Sequence, residues 1–126
     1  MKLFTVEEAN ALLPTVRRLV ARITRGHARV VALRDAARRA AEDAAQTGGG
    51  FMPEGAQYAA ALMRVAEGAA QLESLGVQLK DYARGLVDFP SLRGGRVVLL
   101  CWEFGEGDQL EWWHDVEAGY AGRQRL

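Results

Sequence analysis

A chain of 126 residues with 49% hydrophobic and 25% charged residues has the length and composition of one globular domain. Its 16 basic and 16 acidic side chains cancel, which excludes a bulk electrostatic attraction to nucleic acid or to a membrane surface. A single Cys excludes an internal disulfide, and no stretch reaches the roughly 18 apolar residues of a membrane helix, so we expect a cytoplasmic protein with no membrane or nucleic-acid partner.

The first predicted element is a long helix over residues 5–46. Thr5 and Glu8 have the spacing of a capping box, in which each side chain accepts a hydrogen bond from the other residue's backbone N–H. Small and apolar residues then recur at alternating steps of three and four, which is the heptad pattern of a helix that packs along one seam. The seam is Ala9, Leu12, Val16, Leu19, Ile23, Gly26, Val30, Leu33, Ala37, Ala40 and Ala44.

A Gly-rich turn over residues 47–55 and a second helix over residues 56–85 follow. The second helix repeats the heptad spacing, and its seam continues as Tyr58, Leu62, Val65, Ala69, Leu72, Gly76, Leu79, Ala83 and Leu86. Two such helices joined by a short loop predict an antiparallel helical hairpin of the coiled-coil type. Gly26 and Gly76 are equally far from residue 51, which predicts that they face each other across this hairpin.

After a loop, residues 96–115 predict a β-hairpin. The segment RVVLLCWEF is rich in β-branched and aromatic residues, and Glu106-Gly107 supplies a turn signal. With that turn, the side chain of Cys101 lies opposite Trp112.

The chain is therefore predicted to form one domain over residues 1–126, ending in a tail over residues 116–126. An isolated β-hairpin is marginal in water, so one face must pack on the helices and the other must be covered by the tail or a second subunit. The predicted fold class is α+β, with a long antiparallel helical hairpin and a C-terminal two-stranded β-hairpin packed on it.

The β-hairpin also carries the residues with the most reactive side chains. Cys101 and His114 share a face as diagonal neighbours, but a free Cys is commonly a buried structural residue, and a catalytic dyad would need a direct hydrogen bond. Glu103 lies on the same face and Asp88 could approach from the loop, yet no pair has a recognised metal-ligand spacing. We therefore predict no cofactor and no metal centre, and assign no catalytic residue.

A stripe of basic residues follows the first helix at Arg18, Arg22, Arg25 and Arg29. Such a stripe could track phosphate groups. Because no aromatic residue interleaves it and no nucleic-acid motif surrounds it, we interpret the stripe as a solvated or salt-bridged flank of the heptad seam.

Several short motifs at the two ends of the chain resemble an uncharacterised bacterial family catalogued as domain of unknown function 2203. These motifs are Phe4 to Pro14, Lys80-Asp81, Arg84 to Pro90, Gly95-Arg96, Leu100-Cys101-Trp102, Gly105-Glu106, Trp113-His114-Asp115, Ala118-Gly119 and Gly122-Arg123-Gln124. The resemblance implies a bacterial protein and implies no activity.

The resemblance also selects polar residues of the loop, hairpin and tail, which could converge at one end of the helices. Of the motif residues, Asp88, Arg96, Cys101, Glu106, His114 and Arg123 are candidate binding residues, and Glu103 is added to them because it shares the face of Cys101. We expect Arg123 to fold back with the tail and pair with Asp88, Glu103 or Asp115, with Asp88 as the first choice.

From the sequence we predict a non-enzymatic protein-interaction or regulatory module that forms a homodimer and binds a protein partner whose identity the sequence does not give. The alternative is a small ligand-binding protein or metal-assisted enzyme that uses the polar residues around the β-hairpin. The metal content of the purified protein distinguishes the two, because only the alternative expects a stoichiometric ion.

Overall fold

A computed structural model describes residues 1–47 and 53–126 of the chain. Two helices, α1 (Val6–Thr47) and α2 (Pro53–Ser74), are followed by a sheet of five strands and a short 3-10 helix in the tail. The fold class is α+β, as predicted, but the sheet has five strands and not two.

The start of α1 confirms the predicted capping box. The Thr5 N–H donates to Glu8 Oε1 at 2.9 Å, and the Glu8 N–H donates to Thr5 Oγ1 at 3.0 Å. The first backbone N–H groups of a helix have no partner within the helix. The capping box pairs two of these donors, so it sets where the helix begins. Of the predicted turn at 47–55, residues 48–52 lie outside the described residues and 53–55 belong to α2.

The second helix ends eleven residues earlier than predicted, because Gly76 closes it with a Schellman motif. Gly76 has φ of +87°, and its N–H donates to the carbonyl of Glu73 at 2.9 Å. The Val77 N–H donates to the carbonyl of Leu72 at 3.0 Å, and both of these side chains are buried in the core. The heptad spacing continues past Gly76 in sequence, but the chain has already left the helix.

The predicted contact between Gly26 and Gly76 is therefore wrong. A Cβ added to Gly26 would lie 2.8 Å from Val65 Cγ2, and one added to Gly68 would lie 2.7 Å from Ile23 Cγ1. Gly26 and Gly68 are thus glycines at which each helix packs directly against a side chain of the other.

Residues 78–93, predicted as helix end and loop, form the first two strands. The sheet runs in chain order and every neighbouring pair is antiparallel. Its strands are β1 (Gln78–Asp81), β2 (Leu86–Arg93), β3 (Arg96–Glu103), β4 (Trp112–Asp115) and β5 (Gln124–Arg125). Six consecutive residues of β2 are buried, so this strand shows no alternation of polar and apolar residues that the sequence could reveal.

The register between β3 and β4 agrees with the prediction, with Leu100 opposite Trp113 and Cys101 opposite Trp112. One face of the sheet packs on the N-terminal half of α1 and the end of α2. This core contains Leu13, Val16, Val20, Ile23, Leu72, Val87, Phe89, Val98, Leu100, Trp102 and Trp113. Because side chains alternate across a strand, the residues between these core positions lie on the opposite face of the sheet.

Candidate functional site

Three adjacent strands place Asp88, Cys101 and His114 together on the sheet face that is turned away from the helices. Asp88 of β2 is directly opposite Cys101 of β3, and His114 of β4 is the diagonal neighbour of Cys101. All three are buried, with at most 3% of their surface exposed. One nitrogen, one sulfur and one carboxylate oxygen from these side chains lie within 4.8 Å of one another.

The imidazole of His114 lies between two oxygen acceptors. Its Nδ1 is 2.8 Å from the backbone carbonyl of Asp115, and its Nε2 is 3.1 Å from Asp88 Oδ1. Since a carbonyl can only accept, Nδ1 must carry a proton, and a neutral ring would then present a bare Nε2 to a carboxylate. The gap between Nε2 and Oδ1 therefore holds either a proton, on the ring or on the carboxyl, or a cation.

Cys101 is not set up as a nucleophile in this arrangement. Burial raises the pKa of its thiol to about 12, and the nearby carboxylate of Asp88 acts in the same direction. A catalytic thiolate needs a lowered pKa and an imidazole nitrogen facing the sulfur, whereas both nitrogens of His114 face oxygen atoms.

The tail brings Arg123 over the same sheet face. Its Nη2 donates to both carboxylate oxygens of Glu106, at 2.8 and 2.9 Å, and the guanidinium stacks on Trp112 and Tyr120 with ring distances of 4.9 and 4.6 Å. Burial acts to lower the pKa of Arg123, but the hydrogen bond to Glu106 raises it overall. The Arg123 side chain is only 10% exposed, and its buried Nε has no hydrogen-bond partner among the described residues.

The predicted partner of Arg123, Asp88, is therefore replaced by Glu106. Asp88 sits in the middle of a central strand and is already engaged by His114, whereas Glu106 lies in the turn after β3 and can reach the tail. Glu106 is itself fixed by the backbone N–H of Glu103, which donates to its Oε1 at 2.7 Å. The tail folds back as expected, but Glu106 is not one of the three carboxylates predicted as partners of Arg123, which were Asp88, Glu103 and Asp115.

The remaining two candidates lie outside the buried cluster. Glu103 accepts from Arg84 Nε at 2.6 Å and from the Tyr120 hydroxyl at 3.1 Å, and the hydrogen bond from Arg84 lowers the pKa of this carboxyl. Arg96 pairs with Asp115 at 2.9 Å, and its side chain is 62% exposed. Arg96 alternates with the core residue Val98, so it belongs to the helix side of the sheet and not to the Cys101 face.

Sequence analysis missed the aromatic residues of the site. Trp112 and Tyr120 hold the guanidinium of Arg123 between them, and Tyr120 also stacks with Arg84 at 4.2 Å. The alternation along β4 already placed Trp112 beside Cys101, so one of the two could have been included. Tyr120 could not, because the 3-10 helix Tyr120–Gly122 has no recognisable period.

A family model described as "uncharacterized conserved protein (DUF2203)" matches residues 2–126, which is essentially the whole chain and agrees with the resemblance of the motifs. No curated protein and no solved structure matches the chain. No helix within residues 1–47 or 53–126 is both long and apolar enough to cross a bilayer.

Proposed function

The chain belongs to the DUF2203 family of uncharacterised conserved proteins, and we propose that it binds a divalent transition-metal ion of the zinc type through Asp88, Cys101 and His114. The single observation that carries the proposal is the buried convergence of a sulfur, a nitrogen and an oxygen donor from three strands. This takes up the alternative of the sequence analysis and departs from its expectation that no metal binds.

The donor set fits the chemistry of zinc. Zinc accepts thiolate, imidazole and carboxylate ligands at roughly 2.0–2.3 Å, and small adjustments of three side chains within 4.8 Å of one another can reach such distances. The bond from His114 Nδ1 to the Asp115 carbonyl supports the same interpretation. It fixes the tautomer that turns Nε2 toward the site, which is how metal-binding histidines are commonly oriented.

The charges around the cluster also suit a divalent cation. A divalent ion and Arg123 bring three positive charges, and Asp88, a Cys101 thiolate and Glu106 balance them. The buried site is neutral in that state, which removes most of the cost of burying isolated charges. Metal binding also supplies the reason for the thiol to ionise, since thiolate is the form that coordinates.

Three protein ligands leave the fourth position of a tetrahedral ion for water or another ligand, as in catalytic and not structural zinc sites. The function that we propose is therefore metal-assisted ligand binding or catalysis at this sheet face. A reducing cytoplasm would keep the single thiol available for the metal, and we propose that location for the protein.

The test is metal stoichiometry, by elemental analysis after zinc loading, combined with absorbance of the cobalt-loaded protein. We expect one ion per chain and a thiolate-to-cobalt charge-transfer band in the wild type. Cys101→Ser should remove the band and His114→Ala should lower affinity at least tenfold, by analogy with the loss of any metal contact.

The other histidine offers a matched control. His27 lies on α1 beside Tyr82 and outside the cluster, so His27→Ala should keep full loading. A wild-type protein that binds no zinc or cobalt under these conditions would refute the proposal. This result does not depend on whether the variants fold. Loading that survives both Cys101→Ser and His114→Ala would also refute the proposal.

As a second candidate we propose that the helical hairpin is a protein-interaction surface that pairs two copies of the chain. The observation in its favour is the exposure of Val31 on α1 and of Leu62 and Met63 on α2, at 49%, 44% and 63%. Sedimentation should show a dimer at tens of micromolar that Leu62→Glu with Met63→Glu dissociates. A wild-type monomer at that concentration argues against this role.

A further inference from the structure

We propose that the protein binds a multivalent phosphate group in a cleft of four arginine side chains on the helical hairpin. The cleft has a volume of about 290 Å³ and is lined by Arg22, Arg25, Gly26, Arg29 and Arg64. It lies on the helices and shares no residue with the Asp88–Cys101–His114 cluster, so it is a second site and does not depend on the metal.

The close approach of the two helices creates this cleft. Three of the arginines occupy successive turns of one face of α1, and Gly26 lies among them. A Cβ on Gly26 would meet Val65 Cγ2 at 2.8 Å, so α2 passes close to the backbone of α1 at this point. Arg64, the neighbour of Val65, thereby joins the three arginines of α1 from the other helix.

None of the four guanidinium groups forms an ion pair with a carboxylate of the described chain. Arg29 donates to the neutral side-chain oxygen of Gln57 at 3.0 Å, and no acidic residue lines the cleft. Several other arginines do pair with carboxylates, as Arg17, Arg84 and Arg123 show. Four like charges thus lie together with no acidic side chain among the described residues that line the cleft, and their mutual repulsion is reduced when an anion binds.

The chemistry of the lining selects phosphate as the anion. The planar guanidinium donates two parallel hydrogen bonds to phosphate oxygens, and several such groups around one cleft match an anion with several charges. We infer a diphosphate or triphosphate chain. The lining holds no aromatic side chain on which a base could stack, so the phosphate chain and not a nucleoside should carry the affinity. The stripe on α1 is therefore more than the solvated or salt-bridged flank that the sequence indicates, because α2 contributes the fourth arginine.

The test is isothermal titration with inorganic tripolyphosphate at constant ionic strength, with ATP as a parallel ligand. We expect one saturable site for tripolyphosphate. Arg25→Ala and Arg64→Ala should each raise its Kd at least tenfold, which is about 1.4 kcal/mol. Arg34→Ala, an exposed arginine of α1 that does not line the cleft, should leave the Kd within twofold.

If ATP binds with an affinity similar to that of tripolyphosphate, the phosphate chain is the recognised group. If ATP binds much more tightly, the phosphate chain that the cleft recognises belongs to a nucleotide. Absence of a saturable site overturns the proposal, as does an equal loss in Arg34→Ala. Undiminished tripolyphosphate binding in Arg64→Ala would also overturn the proposal. The ligand would then be held in a way that does not need the arginine cleft, such as chelation of a metal ion bound to the protein. A single-stranded oligonucleotide that binds more tightly than tripolyphosphate would replace the proposed ligand with a nucleic-acid backbone.

Discussion

The packing of the sheet against α1 can be tested at Gly85, in the turn between β1 and β2. Gly85 has φ of +68°, and a Cβ at this position would lie 2.6 Å from Val20 Cγ1, 2.8 Å from Phe104 Cβ and 3.0 Å from Thr24 Cγ2. Its backbone is held on both sides, because its N–H donates to the Asp81 carbonyl and its own carbonyl accepts from the Phe104 N–H, each at 3.0 Å. The turn therefore cannot move aside without breaking a hydrogen bond.

Gly94 offers a matched control, since it has φ of +60° and nothing within 4 Å of the added Cβ. Alanine in this left-handed conformation costs about 1–2 kcal/mol, which the lower entropy of the unfolded chain offsets by about 0.4–1 kcal/mol. Gly94→Ala should therefore cost about 0.5–1 kcal/mol. Gly85→Ala carries the same backbone cost plus overpacking of about 1–3 kcal/mol, for a total of about 1.5–4 kcal/mol.

Urea denaturation followed by circular dichroism measures both variants, and for a chain of this length each kcal/mol corresponds to roughly 4 °C in melting temperature. Val20→Ala should cost less stability in the Gly85→Ala background than in the wild type, with a coupling of about 0.5 kcal/mol or more. Equal free energies of unfolding for Gly85→Ala and Gly94→Ala would refute the argument, because the cost would then lie in the backbone and not in contact with α1.

Three further predictions concern the tail, the acid limb of stability and the end of α2. Arg123→Ala should lower the free energy of unfolding by about 1.5–3 kcal/mol in denaturant titrations, because its bond to Glu106 is largely shielded from water. The exposed Arg125, 3.6 Å from Glu111, should contribute at most about 1 kcal/mol, and equal effects of the two substitutions would contradict the buried clamp. Glu103 has a folded-state pKa below its ordinary value, so its contribution to stability is present above pH 4.5 and is lost as pH falls through the folded-state pKa. Arg84→Ala should therefore reduce the fall in melting temperature at acid pH. An unchanged dependence of melting temperature on acid pH would contradict the pairing. Gly76→Asn should cost less stability than Gly76→Leu, since Asn tolerates the left-handed conformation, and the reverse order would contradict the Schellman end of the helix.

Local patterns in the sequence were sufficient for the features that depend on near neighbours. The capping box of Thr5 and Glu8 predicts the start of α1, because both partners lie within one turn. The turn around Glu106-Gly107 predicts the register that places Cys101 opposite Trp112, and the loop that forms is longer than two residues without changing that register. The polar motifs likewise identified the three members of the buried cluster, although not their proximity as a set.

The tertiary structure decided which of these residues meet, because contacts between distant segments leave no periodic trace in the chain. Asp88 reaches Cys101 only because β2 is a central strand, and its burial on both faces removes the alternation by which a strand is recognised. Arg123 pairs with Glu106 because the tail returns along β4, and Arg64 joins the arginines of α1 because Gly26 lets the helices approach. Sequence spacing determines a local conformation through bonds to near neighbours, whereas a cluster on three strands and a cleft between two helices depend on how those elements pack.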